Sequence, residues 1–545
     1  MSAPKIPFPK QLRNEQAVTI YAGFLCGLIV CVASARWWHA WCNRTSRPSS
    51  VGGVRSFSRR ARILITSTLE RRTPWPWFGR PSIGLVLLVA VYLTVNVILC
   101  HTLLSSHAIN HFASRYGWMG AANMSLCVFF GMKNTPLSLI SRASHATINI
   151  FHRIVGYVAV FLIVLHAIVY LFHFGGQGKW EQFIRPSDLA GIGAGLAMLT
   201  LLVFGLYRHR NYELFYATHV VGFLVAIGLA YLHRPNWAKK LPIVMIFMGV
   251  IWGADRIVRG ARVLRNLLNN AATIYPLPGG GTRVLIKKLS AEDAPGSHVY
   301  LWIPGLRLFQ MHPFTVVSSG RSGLELVVKS HDGFTRALGD LAIDQPGGAA
   351  WVSVDGPYAS LPDVEAYDKL VLIAGGSGAA FTFGLMNRML RHPERLASQT
   401  IEFIWAVRHT EQLEWFAKHL KRLIRPGSGV KVTVYVTNAQ PGEDIFVLPD
   451  VPKYEGDEED REEEPLLGGC PSRHTEHTAG ITLEYNKLDI ETVVGDAVIS
   501  SDNHQRILIS TCGPKTLMDA VRDSVDMHCR KTNNSIDVHC EDFGS

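Results

Sequence analysis

Four histidines have the type and spacing to hold metal within a membrane. His152 and His166 lie in the apolar run "FHRIVGYVAVFLIVLHAIVY", and His219 and His233 lie in "YELFYATHVVGFLVAIGLAYLH". The separation is fourteen residues in both. In an α-helix that separation rises about 21 Å and stops about 40° short of four full turns. Each helix therefore presents two imidazoles on nearly one face, one near each end of a span. Two such helices side by side give two tiers of facing imidazoles, the axial ligation that two haem b groups require. A single histidine at a helix end is an ordinary interfacial residue. The repeated spacing and the cost of an ionisable group in an apolar span favour a ligand role. His173 is the nearest competitor, but fourteen residues before it stands Ala159, and His101, His107, His111, His145 and His209 lack the paired spacing as well.

A second set of residues suits a flavin and a dinucleotide. His312, Pro313, Phe314 and Thr315 run into Val316, Val317, Ser318 and Ser319, which alone reads as a turn entering a strand. Some twenty residues on, Gly333 and Thr335 precede an expected helix start. A glycine that admits backbone N–H groups, followed by a hydroxyl at a helix N-terminus, makes an anion site that would fit the pyrophosphate of FAD. In "KLVLIAGGSGAAFTFGLMNRML" a buried strand, a glycine turn and an amphipathic helix follow one another. Gly375, Gly376 and Gly378, with Ser377 between them, would let a second pyrophosphate approach the helix N-terminus. Arg408 follows the strand "IEFIWAV"; it suits a ribose 2′-phosphate, and a solvated loop arginine fits equally. Cys512 and Gly513 sit at the turn of a third strand–turn–helix, "RILISTCGPKTLMDAVRDSV".

These residues need a two-part chain to position them. Its 545 residues exceed one ordinary domain, only 18% are charged, and the mean hydropathy is positive. Seven candidate spans lie near 18–38, 83–104, 118–132, 150–173, 188–206, 213–233 and 241–259. The third is short and interrupted by Asn123. The net charge of +11 does not indicate nucleic acid, because no basic patch has interleaved aromatics. The arginines crowd one loop instead (Arg44, Arg47, Arg55, Arg59, Arg60, Arg62, Arg71, Arg72 and Arg80). That loop is expected to be cytosolic, with the N-terminus outside, so that seven spans deliver the C-terminal half to the cytosol. His152 and His219 then form the inner tier, and His166 and His233 the outer one. Nine cysteines without a paired framework suit a reducing cytosol and apolar spans. From about residue 272 short alternating runs predict an antiparallel barrel, and alternating strands and helices then predict an α/β nucleotide-binding domain. The acidic stretch near 453–480 lacks core-forming residues and is expected to be a disordered insertion. The expected domains are 1–265 (haem), 266–365 (FAD barrel) and 366–545 (NADPH).

The order of these motifs, with "DGPY" at 355–358, resembles the fungal ferric reductase family, which belongs with the NADPH oxidases in one transmembrane haem–flavin superfamily. The resemblance covers nearly the whole chain from about residue 83. It implies a multi-pass α-helical membrane domain followed by a cytosolic ferredoxin-reductase-like module. His152, His166, His219 and His233 match the haem ligands, and His312 through Thr315 match the segment bordering the flavin. Gly375 to Gly378, Cys512 and Gly513 match the NADPH site. Where the family often ends on an aromatic covering the flavin, Phe543 is the candidate, and Ala359 replaces the glycine of a usual DGPYG. The resemblance implies electron transfer from NADPH through FAD and two haems to ferric or cupric chelates outside. A plasma-membrane location and a high-affinity iron permease/oxidase system as partner are expected with it. A superoxide-forming NADPH oxidase shares the same wiring, and a haem-bearing scaffold without turnover is disfavoured by the complete nucleotide half.

Overall fold

The computed structural model describes residues 9–45, 68–69, 71–73, 80–141, 145–208, 210–233, 240–287, 294–308, 310–320, 323–358, 361–392, 399–425, 428–438, 480–501, 505–529 and 535–541. Phe543, Ala359, nearly all of the acidic stretch and the loop arginines Arg47, Arg55, Arg59, Arg60 and Arg62 lie outside the described residues. The chain divides after Val258 into two compact units.

The first unit is helical. Its long helices are α1 (Pro9–Thr45), α2 (Ile83–His101), α3 (Ile109–Gly131), α4 (His145–Gly175), α5 (Pro186–Tyr207), α6 (Tyr212–Leu232) and α7 (Lys240–Leu267). They fall on the seven expected spans. Six of them are long and apolar enough to cross a membrane. Their exposed positions carry Leu87, Val91, Val97, Leu196, Val203, Ile243, Ile246 and Val250, side chains suited to lipid.

The exception is α3, which has 23 residues but buries Ser114, Arg115 and Asn123. Each polar group there is satisfied locally, as a water-poor interior requires. Arg115 donates from Nε to Asn14 Oδ1 at 2.7 Å and from its terminal nitrogens to the carbonyls of Leu99, Thr102 and Leu103. It thereby takes up carbonyls that the end of α2 leaves without helical partners. Asn123 Oδ1 accepts from the hydroxyls of Tyr21 and Tyr92, and its Nδ2 donates to Asn96 Oδ1 at 2.7 Å. A helix too polar to face lipid is packed against α1, α2 and α4, and α4 lies along its length.

The second unit holds two sheets. In the first, strands β1 (Ala271–Leu277), β2 (Gly281–Ile286), β3 (His298–Trp302), β4 (His312–Gly320), β5 (Gly323–Lys329), β6 (Gly348–Trp351) and β7 (Ser353–Tyr358) pair in the order β6-β1-β2-β5-β4-β3-β7. Every pairing is antiparallel. The two ends of that order, β6 and β7, are separated by Val352 alone, so the sheet curls into the expected barrel. Alternation places Ile274, Val284, Ile286, Leu301, Val316 and Leu326 inside, with helix α8 (Phe334–Asp344) contributing Phe334 and Leu338.

The second sheet is parallel, in the order β11-β10-β9-β8-β12-β13. Its strands are β8 (Lys369–Gly375), β9 (Thr400–Val407), β10 (Val430–Val436), β11 (Ile481–Glu484), β12 (Arg506–Cys512) and β13 (Ser535–Glu541). Helices α9 (Ala379–Met389) and α10 (Ala417–Leu423) belong to the core on one face, and α11 (Ile490–Ile499) and α12 (Lys515–His528) to the core on the other. Burial on both faces explains why β8 and β12 carry consecutive apolar residues (370–374 and 507–509) rather than alternating ones.

Candidate functional site

In the helical unit the four histidines meet in two pairs. The rings of His152 and His219 lie 6.2 Å apart between centroids at 65°, and those of His166 and His233 lie 6.2 Å apart at 83°. Helices α4 and α6 therefore run in the same direction at matching depth. His173 does not enter either pair; its ring lies against Tyr170 and Phe174, and its Nε2 is near Gln177.

The pairs suit an iron held between two imidazoles. One metal–nitrogen bond of about 2 Å to each ring, and about 1.1 Å from nitrogen to ring centre, sets two centroids about 6.2 Å apart. Three of the rings are also oriented from behind. His152 Nδ1 bonds Cys127 O at 2.9 Å, His166 Nδ1 bonds Ala113 O at 2.8 Å and His233 Nδ1 bonds Ser187 O at 2.7 Å. A ring donating Nδ1–H to a carbonyl keeps its Nε2 lone pair for a metal. His219 Nδ1 is buried with no hydrogen-bond partner among the described residues. The residues present thus fit two bis-imidazole irons.

In the second unit, the HPFT segment opens β4. His312 stacks on Phe334 at 4.6 Å, and Phe314 faces the same ring at 6.1 Å. Pro313 is exposed, while Thr315 and Val316 are buried. The Val316 N–H donates to Ser297 O at 2.8 Å. Gly333 caps α8 with φ of +62°, and a side chain there would meet nothing within 4 Å, leaving that helix start open. Thr335 lies inside the first turn rather than ahead of it. Its hydroxyl accepts from the His331 N–H at 2.9 Å and lies 3.3 Å from Asp332 O, holding the loop before the helix.

Ser318 donates to Glu325 Oε2 at 2.7 Å and belongs to a buried polar cluster. Glu325 also pairs with Arg283 Nε at 2.9 Å and His419 Nε2 at 3.0 Å, and His419 Nδ1 lies 3.0 Å from Asn387 Nδ2. Asn387 donates to Val317 O as well, at 2.8 Å. The cluster therefore joins β2, β4 and β5 of the barrel to α9 and α10 of the parallel sheet. Burial alone would raise the Glu325 carboxyl, but Arg283, His419 and Ser318 together hold it well below its ordinary value. Burial lowers His419, and the Glu325 carboxylate only partly offsets it. Neutral His419 with Nε2–H toward Glu325 and Nδ1 accepting from Asn387 satisfies both.

The glycine turn and the Cys512–Gly513 turn come together because β8 and β12 are neighbours, with Cys512 opposite Ala374. A Cβ on Gly378 would overlap the Cys512 carbonyl, and one on Gly375 would stand 2.8 Å from Pro514 Cδ. Gly376 has φ of +55°, and its carbonyl accepts from Trp405 Nε1 at 3.0 Å. Ser377 is half-buried and Cys512 buried. Arg408 stands one residue past β9 with an exposed side chain, and Gln412 Oε1 accepts from its backbone N–H at 3.0 Å.

Sequence reasoning missed Trp405, the Glu325 cluster and a second anchor at Asp355. That carboxylate is fully buried and pairs with Arg259 Nε at 3.1 Å and Arg262 Nε at 2.8 Å from the last turns of α7. Tyr358 adds a hydrogen bond at 2.8 Å, and burial together with that carboxylate raises its phenol. The "DRIVRGAR" spacing carried this signal, since residues three apart share a helix face. Among the described residues no group of three or more His, Cys, Asp or Glu gathers as a metal site.

Fold and sites define a class: a polytopic helical domain with paired imidazoles, joined to an antiparallel barrel and a parallel dinucleotide-type sheet. The family models agree segment by segment. Residues 116–230 match the ferric reductase like transmembrane component, 269–361 an FAD-binding domain and 367–526 the ferric reductase NAD binding domain. The chain therefore carries the transmembrane, FAD-binding and NAD-binding domains that these models describe, and it resembles ferric reductases of fungi. It is 25% identical over 443 residues to a probable ferric reductase transmembrane component of Candida albicans, covering 78% of this chain and 64% of that one. It is 28% identical over 355 residues to ferric reductase transmembrane component 4 of Saccharomyces cerevisiae, covering 62% and 48%. The ferric/cupric reductase transmembrane component 2 of Schizosaccharomyces pombe is 26% identical over 369 residues, covering 57% and 64%. The chain thus spans about half to two thirds of the length of these curated relatives.

Proposed function

We propose that this chain is a transmembrane metalloreductase that moves electrons from cytosolic NADPH to ferric or cupric chelates on the outer side. The observation that carries this reading is the pair of imidazole tiers in a chain that also folds a flavin-type barrel and a nicotinamide-type sheet. When bound, NADPH supplies a hydride to FAD, and two haems carry the electrons singly across the membrane. Residues 1–265 form the haem domain, 266–365 the FAD domain and 366–545 the NADPH domain.

Each group of residues then has a task. His152 and His219 hold the inner iron, and His166 and His233 the outer one. The fourteen-residue spacing separates the tiers by about 20 Å, dividing a hydrocarbon core about 30 Å thick that one step cannot cross. His312, Pro313, Phe314, Thr315, Val316 and Ser318 border the flavin, and the open start of α8 at Gly333 and Thr335 receives its pyrophosphate. Gly375, Gly376, Ser377 and Gly378 admit the nicotinamide dinucleotide beside Cys512 and Gly513, and Arg408 takes a 2′-phosphate. Phe543 is assigned the flavin cover by resemblance alone. No acid or base is assigned to the reaction.

The N-terminus lies outside and the nucleotide domains in the cytosol. Electrons leaving an inside-negative cell gain about 2.3 kcal/mol per 100 mV. The plasma membrane is the location in which external chelates are reached, and a permease/oxidase system would then take up the reduced iron. The relatives' names favour a metal over dioxygen as acceptor.

Haem spectra of purified variants test the reading. His166→Ala is expected to remove one of two haems, while His173→Ala keeps both. A His173 variant that loses haem while His166→Ala keeps its full content would reverse the assignment.

A further inference from the structure

The three oriented histidines share one construction. His166 Nδ1 bonds the carbonyl of Ala113 and stands against Gly117. His152 Nδ1 bonds Cys127 O and stands against Gly131, and His233 Nδ1 bonds Ser187 O and stands against Gly191. In every case the accepting carbonyl lies four residues before the glycine. The geometry of a helix explains the offset. Each Cα–Cβ bond tilts toward the N-terminus, so a side chain covers the turn before its own Cα, including the carbonyl four residues back. A glycine uncovers that carbonyl and lets a ring lie flush on the helix.

At Gly117 and Gly191 the space admits nothing larger, and at Gly131 it is tight. A Cβ on Gly117 would stand 2.6 Å from His166 Nδ1 and one on Gly131 would stand 3.0 Å from His152 Nδ1. On Gly191 it would overlap the His233 ring. The spacing repeats as well: Gly117 and Gly131 are fourteen residues apart, as His152 and His166 are on the antiparallel α4. The same step from Gly191 along α5 leads to Gly205. Yet a Cβ there would meet nothing within 4 Å, and His219 Nδ1 is the one of the four without a partner among the described residues.

We propose, resting on the haem-ligand reading, that Gly117, Gly131 and Gly191 are positioning residues that lock three of the four ligands. His219, facing no such site, is the unlocked ligand, and the inner haem is the more exchangeable one. The glycines act through the histidines: they fix the tautomer of each locked ring and, in the outer tier, where both ligands are locked, hold the two ring planes crossed at 83°.

The test uses the full chain in detergent, with haem counted per chain and each tier followed by its low-spin electron paramagnetic resonance signal. G117A and G191A are expected to weaken the outer haem about 10- to 100-fold and shift its signal, the range for lost partners of metal ligands. G131A should do the same to the inner haem. G205A should leave both signals unchanged. G193A, in the same helix as Gly191, is the packing control, because its Cβ would press at 2.9 Å on Leu229 Cδ1 of α6 rather than on a ligand. In the wild type, free imidazole or cyanide should displace the His219 side of the inner haem before any outer ligand. Wild-type protein without haem would overturn the proposed function itself. Two haems with unaltered content and signals in G117A, G131A and G191A would overturn this inference alone. So would equal haem loss in G191A and G193A, which would mean general damage to the helix.

Discussion

The turn at 375–378 allows a sharp separation of two roles of glycine. At Gly378 the obstacle is backbone. A Cβ would overlap the Cys512 carbonyl and stand 2.9 Å from Gly513 N, neither of which can swing away. Ordinary contact near 3.4 Å requires the two turns to part by roughly 1 Å, and a shift of about that size at a reacting centre costs on the order of 100-fold. At Gly376 the surroundings are open, and the only obstacle is φ of +55°, which costs a side chain about 1–2 kcal/mol without moving either turn. Gly378→Ala should therefore lower NADPH-driven dye reduction by membranes about 100-fold, with flavin and haem content retained. Gly376→Ala should lower thermal stability while keeping most of the activity. Equal activities for the two variants would refute the argument that turn-to-turn contact, rather than conformational freedom, shapes the proposed nicotinamide site.

Arg408→Ala should raise the KM for NADPH about tenfold and leave NADH nearly unchanged, as loss of a charge-assisted contact to a 2′-phosphate requires. Equal losses with both nucleotides would remove Arg408 from that role. His166→Ala should stop reduction of external iron while flavin-dependent dye reduction by membranes persists, because the nucleotide sites lie in a separate unit. The Glu325–His419 cluster sets an acid limit. Below about pH 6.5 the unfolded chain protonates His419 while the folded site, with its lowered value, resists, so stability falls as pH drops. Glu325 adds stability above about pH 4.3 and loses it only as pH falls through its depressed folded value. Thermal unfolding of the full chain against pH should show the first loss, and His419→Asn should remove it; an unchanged profile would contradict the assignment.

Elements with a strong period could be read from the sequence. The seven helices, the barrel strands β2 to β5 and the three strand–turn–helix units all carry apolar patterns of the right repeat. Histidine pairing was legible too, because equal separations on parallel helices fix which rings meet. Strands β1, β6 and β7 escaped notice, being short or lacking alternation. The third span looked weak at Asn123 because its polar residues are satisfied by α1 and α2, a tertiary fact absent from local hydropathy. Glu325, Arg283 and His419 come from distant segments, and no single window contains their partnership. Thr335 shows the limit at helix ends, where one residue changes a free hydroxyl into one engaged with its own loop.

In the proposed function, electrons cross the membrane to a metal by way of the outer tier. Cells producing the full chain should reduce a membrane-impermeant ferric chelate at a rate that superoxide dismutase leaves unchanged and that His166→Ala abolishes. Loss of the ferric reduction on adding dismutase would make dioxygen the true acceptor, and an undiminished rate in the His166→Ala cells would contradict the route itself.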